Sequence, residues 1–146
     1  MLQRIFLIFV LVLSLNSCSK KDLEYQPKDK VNPYKLYQEG FEAFEKGDYF
    51  YAEKKFTEAE LNFEIVDFAA KSAIMSSYSL YGINFYSDAL INLERYLKKY
   101  PTDNNVIYAH YLIAIIHYEQ IQDEKRDLQP LLDAESKIKF FLKKYP

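Results

Sequence analysis

Apolar residues recur along most of the chain at helical spacing, and one such pattern occurs three times. In its clearest copy, apolar side chains stand four and seven residues after Ala89, and Pro101 follows. This spacing places the side chains on one face of a helix, which proline then ends because it lacks an N–H group and clashes with the preceding turn. The alanine of the pattern recurs 37 residues earlier and 45 residues later, at Ala52 and Ala134.

Another amphipathic stretch precedes each copy of the pattern. The sequence therefore predicts three helix–turn–helix units and an all-α fold. Asn32 and Pro33 are typical of an N-cap and of the first helical position, so the first helix begins there. No segment alternates apolar and polar residues for long enough to predict a strand. The predicted helices span residues 34–46, 49–63, 67–81, 86–99, 105–119 and 130–144, in units of residues 34–66, 67–101 and 105–146.

Composition and charge narrow the class of protein. The 146 residues are 49% hydrophobic and 27% charged, which is ordinary for one globular domain. The net charge is −2 and no basic run exceeds two residues, so the electrostatic footprint of a nucleic-acid-binding protein is absent from the sequence.

No motif in the sequence indicates catalysis. The three glycines never form a phosphate-cradling loop, and no serine or cysteine has a nearby histidine signature. His110 and His117 are about 10.5 Å apart along one predicted helix, which is too far to share a metal without other ligands. We therefore expect a non-catalytic protein with no catalytic residue, no metal site and structural roles for both histidines. Acidic residues such as Glu58, Glu60 and Glu64 are expected to be solvated.

Residues 1–17 have the features of a secretory signal peptide. Arg4 precedes an unbroken apolar run at residues 5–13, which is too short to span a bilayer stably. The one cysteine of the chain, Cys18, lies where a signal peptidase would cut, and Leu15, Ser17 and Cys18 resemble the lipobox of bacterial lipoproteins. The alternative is a plain signal peptide with an incidental cysteine.

The lipobox resemblance implies that Cys18 carries a diacylglycerol thioether and an N-acyl group, and no cofactor is expected besides this covalent lipid. Three acyl chains anchor a protein firmly where a single chain binds only marginally. Ser19 follows the cysteine where aspartate would favour the inner membrane, so we expect an anchor in the outer membrane. Residues 18–33 are polar and aperiodic, which predicts a flexible tether that reaches roughly 50 Å at full extension.

The helical units resemble a known repeat. Gly40, Tyr49, Ala52, Phe56 and Ala59 resemble the tetratricopeptide (TPR) pattern, a helix–turn–helix unit of about 34 residues. The resemblance implies a right-handed α-solenoid of three helix pairs with a concave and a convex side. In TPR arrays the first helix of each pair lines the concave groove. Most of the matching positions here are aromatic, namely Tyr34, Tyr37, Phe41, Phe44, Tyr78, Tyr81, Tyr108, Tyr111 and Tyr118.

These rings suit a groove for a peptide with aromatic side chains. Tyrosine offers a large apolar face to a ligand side chain and one hydroxyl to a passing backbone. The alternative interpretation is that many of the rings pack between helices, as aromatic stripes at helical spacing often do.

Several features together are similar to the BamD family of outer-membrane β-barrel assembly lipoproteins. The similarity covers residues 18–146 and is strongest in the third unit. It rests on the candidate lipidated cysteine and short tether, Pro33-Tyr34 leading to Gly40, Tyr100-Pro101-Thr102 ahead of a tyrosine-rich helix, and Arg126-Asp127 in a longer loop.

The family resemblance implies a lipoprotein on the periplasmic face of the outer membrane. It implies binding to the POTRA domains of a BamA-like subunit and to other assembly subunits. It also implies binding to the aromatic-rich C-terminal peptides of unfolded outer-membrane proteins, whose insertion it promotes. The family usually carries more repeats than the three found here, so we expect this sequence to be part of a longer chain. The alternatives are a generic TPR lipoprotein that scaffolds a pilus, secretin or cell-wall assembly, and an enzyme-associated lipoprotein.

Overall fold

The computed structural model describes residues 31–121 and 128–146. The predicted signal peptide at residues 1–17, Cys18, the tether up to residue 30 and the Arg126-Asp127 dipeptide lie outside the described residues. The described part contains α1 (Pro33–Glu45), α2 (Tyr49–Asn62), α3 (Val66–Gly82), α4 (Tyr86–Lys99), α5 (Val106–Glu119) and α6 (Gln129–Lys144). Within that part, no helix combines the length and the apolar character that crossing a bilayer requires.

The all-α fold is confirmed, and each helix begins and ends within one residue of its predicted bounds. Asn32 caps α1 as predicted, since its Oδ1 accepts from the backbone N–H groups of Tyr34 at 3.0 Å and Lys35 at 3.4 Å. Asp48 caps α2 in the same way. Gly47, in the turn between α1 and α2, has a φ of 77°, a left-handed conformation that glycine adopts without strain.

The helices form a TPR-like solenoid of three pairs, in which each helix packs mainly against its neighbours in the chain. The repeated alanines lie at the packing faces of the second helices. Ala52 and Ala89 are fully buried, and Ala134 is nearly so. Small side chains at these positions allow the helix axes to approach closely.

The main hydrophobic core lies between α3, α4 and α5, where Leu93, Tyr96 and Leu112 are buried. A smaller core in the first pair surrounds the ring of Phe56. Gly40 faces this ring, and a Cβ atom added at Gly40 would lie 3.0 Å from Phe56 Cδ1. The first pair therefore packs as closely as a glycine allows.

Glu60 contradicts the expectation that it is solvated, because it is 4% exposed. Arg95 donates two hydrogen bonds of 2.7 Å to its two carboxylate oxygens. Lys99 Nζ and the Tyr100 hydroxyl donate to Oε1 at 3.0 and 2.9 Å. Burial raises the pKa of Glu60, but these donors outweigh burial and hold the pKa below its ordinary value. The four residues, here called the Glu60 clamp, join α2 to α4 across the seam between the first two pairs.

Candidate functional site

Aromatic rings from the three first helices contact one another in a row. The centroid of Phe44 on α1 lies 5.4 Å from that of Tyr78 on α3. Tyr78 lies 6.0 Å from Tyr108 on α5, and Tyr108 lies 6.2 Å from Tyr111. These four residues are called the ring strip. Because the first two steps each cross to the first helix of the next pair and the last step stays on α5, the ring strip runs over all three repeats.

The ring strip is open to solvent at one end and held by packing at the other. Tyr108 and Tyr111 are 37% and 46% exposed, whereas Phe44 and Tyr78 are half-buried. Tyr78 and Tyr81 stack with an interplanar angle of 11° and a centroid distance of 5.8 Å. Aromatic pairs with these geometries add packing energy beyond the area they bury, so they fix the orientation of the exposed faces.

A carboxylate orders the tyrosines beside the ring strip. Tyr81 donates its hydroxyl to Glu119 Oε1 at 2.7 Å, and Tyr86 donates to Oε2 at 2.8 Å. The hydrogen bond to Glu119, followed by burial and the charge of Glu119, raises the pKa of Tyr81 to about 12. The pKa of Tyr86 is raised for the same reasons. Both hydroxyls therefore stay protonated at neutral pH, and they tie α3 and α4 to the end of α5.

Two other predicted groove residues, Tyr34 and Tyr37, make their ring contacts outside the ring strip. Tyr34 packs edge-on against Phe63 and Phe68, with centroid distances of 4.9 and 5.2 Å. Tyr37 is half-buried and rests on the core ring of Phe56 at 5.3 Å. Thus the structure brings together Phe44, Tyr78, Tyr81, Tyr108 and Tyr111, and it places Tyr34 and Tyr37 in separate contacts. Phe41 and Tyr118 are 42% and 60% exposed.

Tyr86 and Glu119 are the site residues that the sequence did not reveal. Tyr86 lies on a second helix, which the TPR resemblance does not assign to the groove, and Glu119 lies at the end of α5 among other polar residues. The sequence did contain one signal for Tyr86. This residue occupies the first position of α4, as Tyr49 occupies the first position of α2.

Both histidines belong to the interface between α5 and α6. The ring of His110 lies 5.2 Å from that of Phe140, and its Nε2 is 3.1 Å from Lys144 Nζ. Burial lowers the pKa of His110, and the charges of Lys144 and Lys137 lower it further. Burial is also the first cause of the lowered pKa of His117. In the described part of the chain, no group of three or more His, Cys, Asp or Glu side chains is placed to hold a metal ion.

Comparison of the sequence with known proteins relates the chain to one family. The family model described as YfiO, outer membrane lipoprotein, matches residues 29–146. Outer membrane protein assembly factor BamD of Caulobacter vibrioides is 30% identical over 111 residues, which cover 76% of this chain and 36% of that protein. BamD of Rickettsia prowazekii is 27% identical over 141 residues, which cover 95% of this chain and 55% of that protein.

A third relative, BamD of Xylella fastidiosa, is 22% identical over 156 residues, which cover 100% of this chain and 52% of that protein. The chain thus spans about half the length of these curated relatives, or less.

Proposed function

The chain belongs to the YfiO/BamD family of outer membrane lipoproteins, and on that premise we propose that it is a non-catalytic receptor of outer-membrane protein assembly. In this proposal it binds the unfolded C-terminal peptides of outer-membrane proteins in the periplasm and promotes their insertion. The name of its relatives, outer membrane protein assembly factor, supports a role in outer-membrane protein assembly. The choice of peptide ligand rests on the ring strip.

The observation that carries the proposal is the ring strip. A peptide in extended conformation rises about 3.3 Å per residue, and its alternate side chains point to one side. Successive rings of the strip are 5.4–6.2 Å apart, close to the spacing of alternate side chains in such a peptide. Aromatic side chains of a ligand can therefore stack along Tyr108 and Tyr111 one after another, which gives selectivity for an aromatic-rich sequence.

The remaining parts of the proposal concern attachment and partners. Cys18 carries the lipid that anchors the protein to the periplasmic face of the outer membrane, and the tether that follows it separates the helical domain from the bilayer. A BamA-like subunit binds through its POTRA domains, together with other assembly subunits. The lipobox pattern of the sequence and the family membership support these statements.

Site-specific photocrosslinking in living cells tests the ligand. A benzoylphenylalanine placed at Tyr111, in the ring strip, should capture precursors of outer-membrane barrel proteins. The same group at Tyr51, which is 43% exposed on α2, is the matched control and should capture far less. Capture of a secretin, pilus or cell-wall component at Tyr111 would instead support the alternative of a scaffold for another envelope assembly.

A further inference from the structure

An exposed apolar surface lies where α1 begins, α2 ends and α3 begins. Tyr34, on the first turn of α1, contacts Phe63, which follows α2, and Phe68, on the first turn of α3. These ring contacts bring the three helix ends together. Tyr34 and Phe68 nevertheless remain 51% and 40% exposed, so the rings pack on one another without closing off from solvent. The exposed apolar residues at these helix ends are here called the end patch: Val31, Tyr34, Leu61, Ile65, Val66 and Phe68.

The end patch lies outside the packed core. Leu61 is 74% and Val66 65% exposed. Leu36 on α1 and Ala69 on α3 are buried, so these helices already have their core contacts close to the end patch. Isolated apolar side chains on a surface need no explanation, but a cluster of large ones marks a site of contact with another protein or with a membrane. The end patch is therefore a candidate contact surface.

The charges beside the end patch do not favour an anionic ligand. The exposed charged residues that adjoin its members in the described sequence are Lys35, Glu64 and Asp67. Two carboxylates against one cation give no positive field that would attract an anion. The ligand that this surface complements is therefore apolar rather than a phosphate group.

The chain enters the end patch from the side of the proposed lipid. Val31 follows the candidate lipidation site Cys18 by 13 residues. A segment of this length extends to at most about 45 Å, so an anchored chain keeps the end patch within that distance of the bilayer. Contact with the membrane then becomes an intramolecular event, for which tethering supplies a high effective concentration. A protein partner in solution has no such advantage, so the bilayer is the occupant that the chain itself favours.

We propose that the end patch inserts into the interfacial region of the membrane that carries the lipid anchor, an inference that rests on the anchor of the proposed function. Leu61 and Val66 enter the acyl-chain boundary, where apolar side chains are removed from water. Tyr34 suits the same boundary, because its ring is apolar and its hydroxyl reaches the headgroups. The tether allows the helical domain to stand away from the bilayer, and the end patch gives it a second, docked position.

Quenching of tryptophan fluorescence by brominated lipid tests the docked position. The natural chain contains no tryptophan, so one introduced residue is the only indole that reports. The full chain, purified from bacterial membranes, is reconstituted into vesicles of phosphatidylcholine with or without bromine atoms near the headgroup end of its acyl chains. Leu61→Trp should lose much of its emission in the brominated vesicles. Phe50→Trp is the matched control, because Phe50 is 68% exposed on the same helix and lies about 16 Å farther along its axis. It should keep its emission.

A second pair of variants tests whether the end patch itself makes the contact. Ile65 and Phe85 are the N-cap residues of α3 and α4, they are 51% and 49% exposed, and neither side chain caps its helix. Aspartate is a favoured N-cap, so Ile65→Asp and Phe85→Asp should both preserve the fold. Added to Leu61→Trp, Ile65→Asp should restore the emission, because a charge is costly in the acyl-chain region. Phe85→Asp should leave the quenching unchanged.

The outcomes separate the end patch from the anchor. If the chain does not float with the vesicles, the lipid anchor of the proposed function is wrong and the docked position falls with it. If the chain floats but the tryptophans at 61 and 50 are quenched equally, or Ile65→Asp and Phe85→Asp act alike, only the end patch is refuted. Quenching that requires added phosphatidylglycerol would overturn the apolar contact. Unquenched emission that shifts to shorter wavelength as the protein concentration rises would show that a second copy covers the end patch instead.

Discussion

Replacing Arg95 with methionine removes two of the four hydrogen bonds of the Glu60 clamp and keeps an apolar side chain in place of the aliphatic part of Arg95. The Glu60 side chain is 1% exposed, so its carboxylate stays buried with Lys99 and Tyr100 as its remaining donors. Breaking a buried ion pair by removing one partner costs about 3–5 kcal/mol. The two remaining donors and the 39% exposure of the Arg95 side chain reduce this cost. We expect a loss of about 2 kcal/mol at neutral pH.

Urea unfolding followed by circular dichroism measures this loss, and thermal unfolding should show a fall in Tm of about 8 °C. The loss of stability in Arg95→Met should become smaller as the pH falls. Because the folded-state pKa of Glu60 is lowered, its stabilisation is present above the ordinary value of 4.5 and disappears as the pH falls through the folded-state pKa. The difference between wild type and Arg95→Met should therefore be largest at neutral pH and shrink as the pH falls through the folded-state pKa values of Glu60 in the two proteins.

The matched control is Lys139→Met, which removes the cation of an exposed pair on α6. Lys139 and Glu135 are 74% and 54% exposed, so this change should cost at most about 0.5 kcal/mol. The double variant Glu60→Gln, Arg95→Met should recover part of the loss, because no buried charge is left unpaired. A cost of Arg95→Met equal to that of Lys139→Met, or a cost that persists in full below the folded-state pKa of Glu60, would refute the reasoning.

Gly40→Ala places a methyl group 3.0 Å from the buried ring of Phe56, so thermal unfolding should show a loss of about 1–3 kcal/mol despite the higher helix propensity of alanine. Burial and nearby lysines lower the pKa of His110 and His117, so the unfolded chain takes up protons first and the free energy of unfolding falls as the pH drops below 6.5. The variant His110→Gln, His117→Gln should flatten this dependence in urea titrations between about pH 7 and about pH 5.5, and an unchanged slope would contradict it. Cys18→Ala should abolish palmitate labelling in cells, and a variant that is still labelled would exclude the lipid anchor.

Local signals were sufficient to predict the helices. The cap at Asn32, the prolines at Pro33 and Pro101 and the repeated alanines each act within a few residues, so the helix bounds could be predicted to within one residue. Glu60 could not be predicted in this way. In the sequence, Glu60 lies among acidic residues that are typical of a solvated helix face. The side chains that donate hydrogen bonds to it lie 35 to 40 residues later in the chain.

The helical positions of the candidate site residues could be predicted from the sequence, but the exposure of their rings could not. Helix register, which the repeat pattern supplies, puts Phe44, Tyr78 and Tyr108 on adjoining helices. Whether a ring faces solvent depends on its neighbours in three dimensions, and these could not be predicted. Tyr37 shares the register of the predicted groove yet rests on Phe56, because Gly40 lets α2 approach closely at that level.

The most direct test of peptide binding by the ring strip is isothermal titration calorimetry with a synthetic peptide. The peptide carries the aromatic-rich C-terminal sequence of an outer-membrane barrel protein. Tyr111→Ala should weaken binding about tenfold, as expected for truncation of an aromatic contact residue, and Tyr51→Ala on α2 should leave the affinity unchanged. Equal affinities of wild type and Tyr111→Ala would contradict the receptor role of the ring strip.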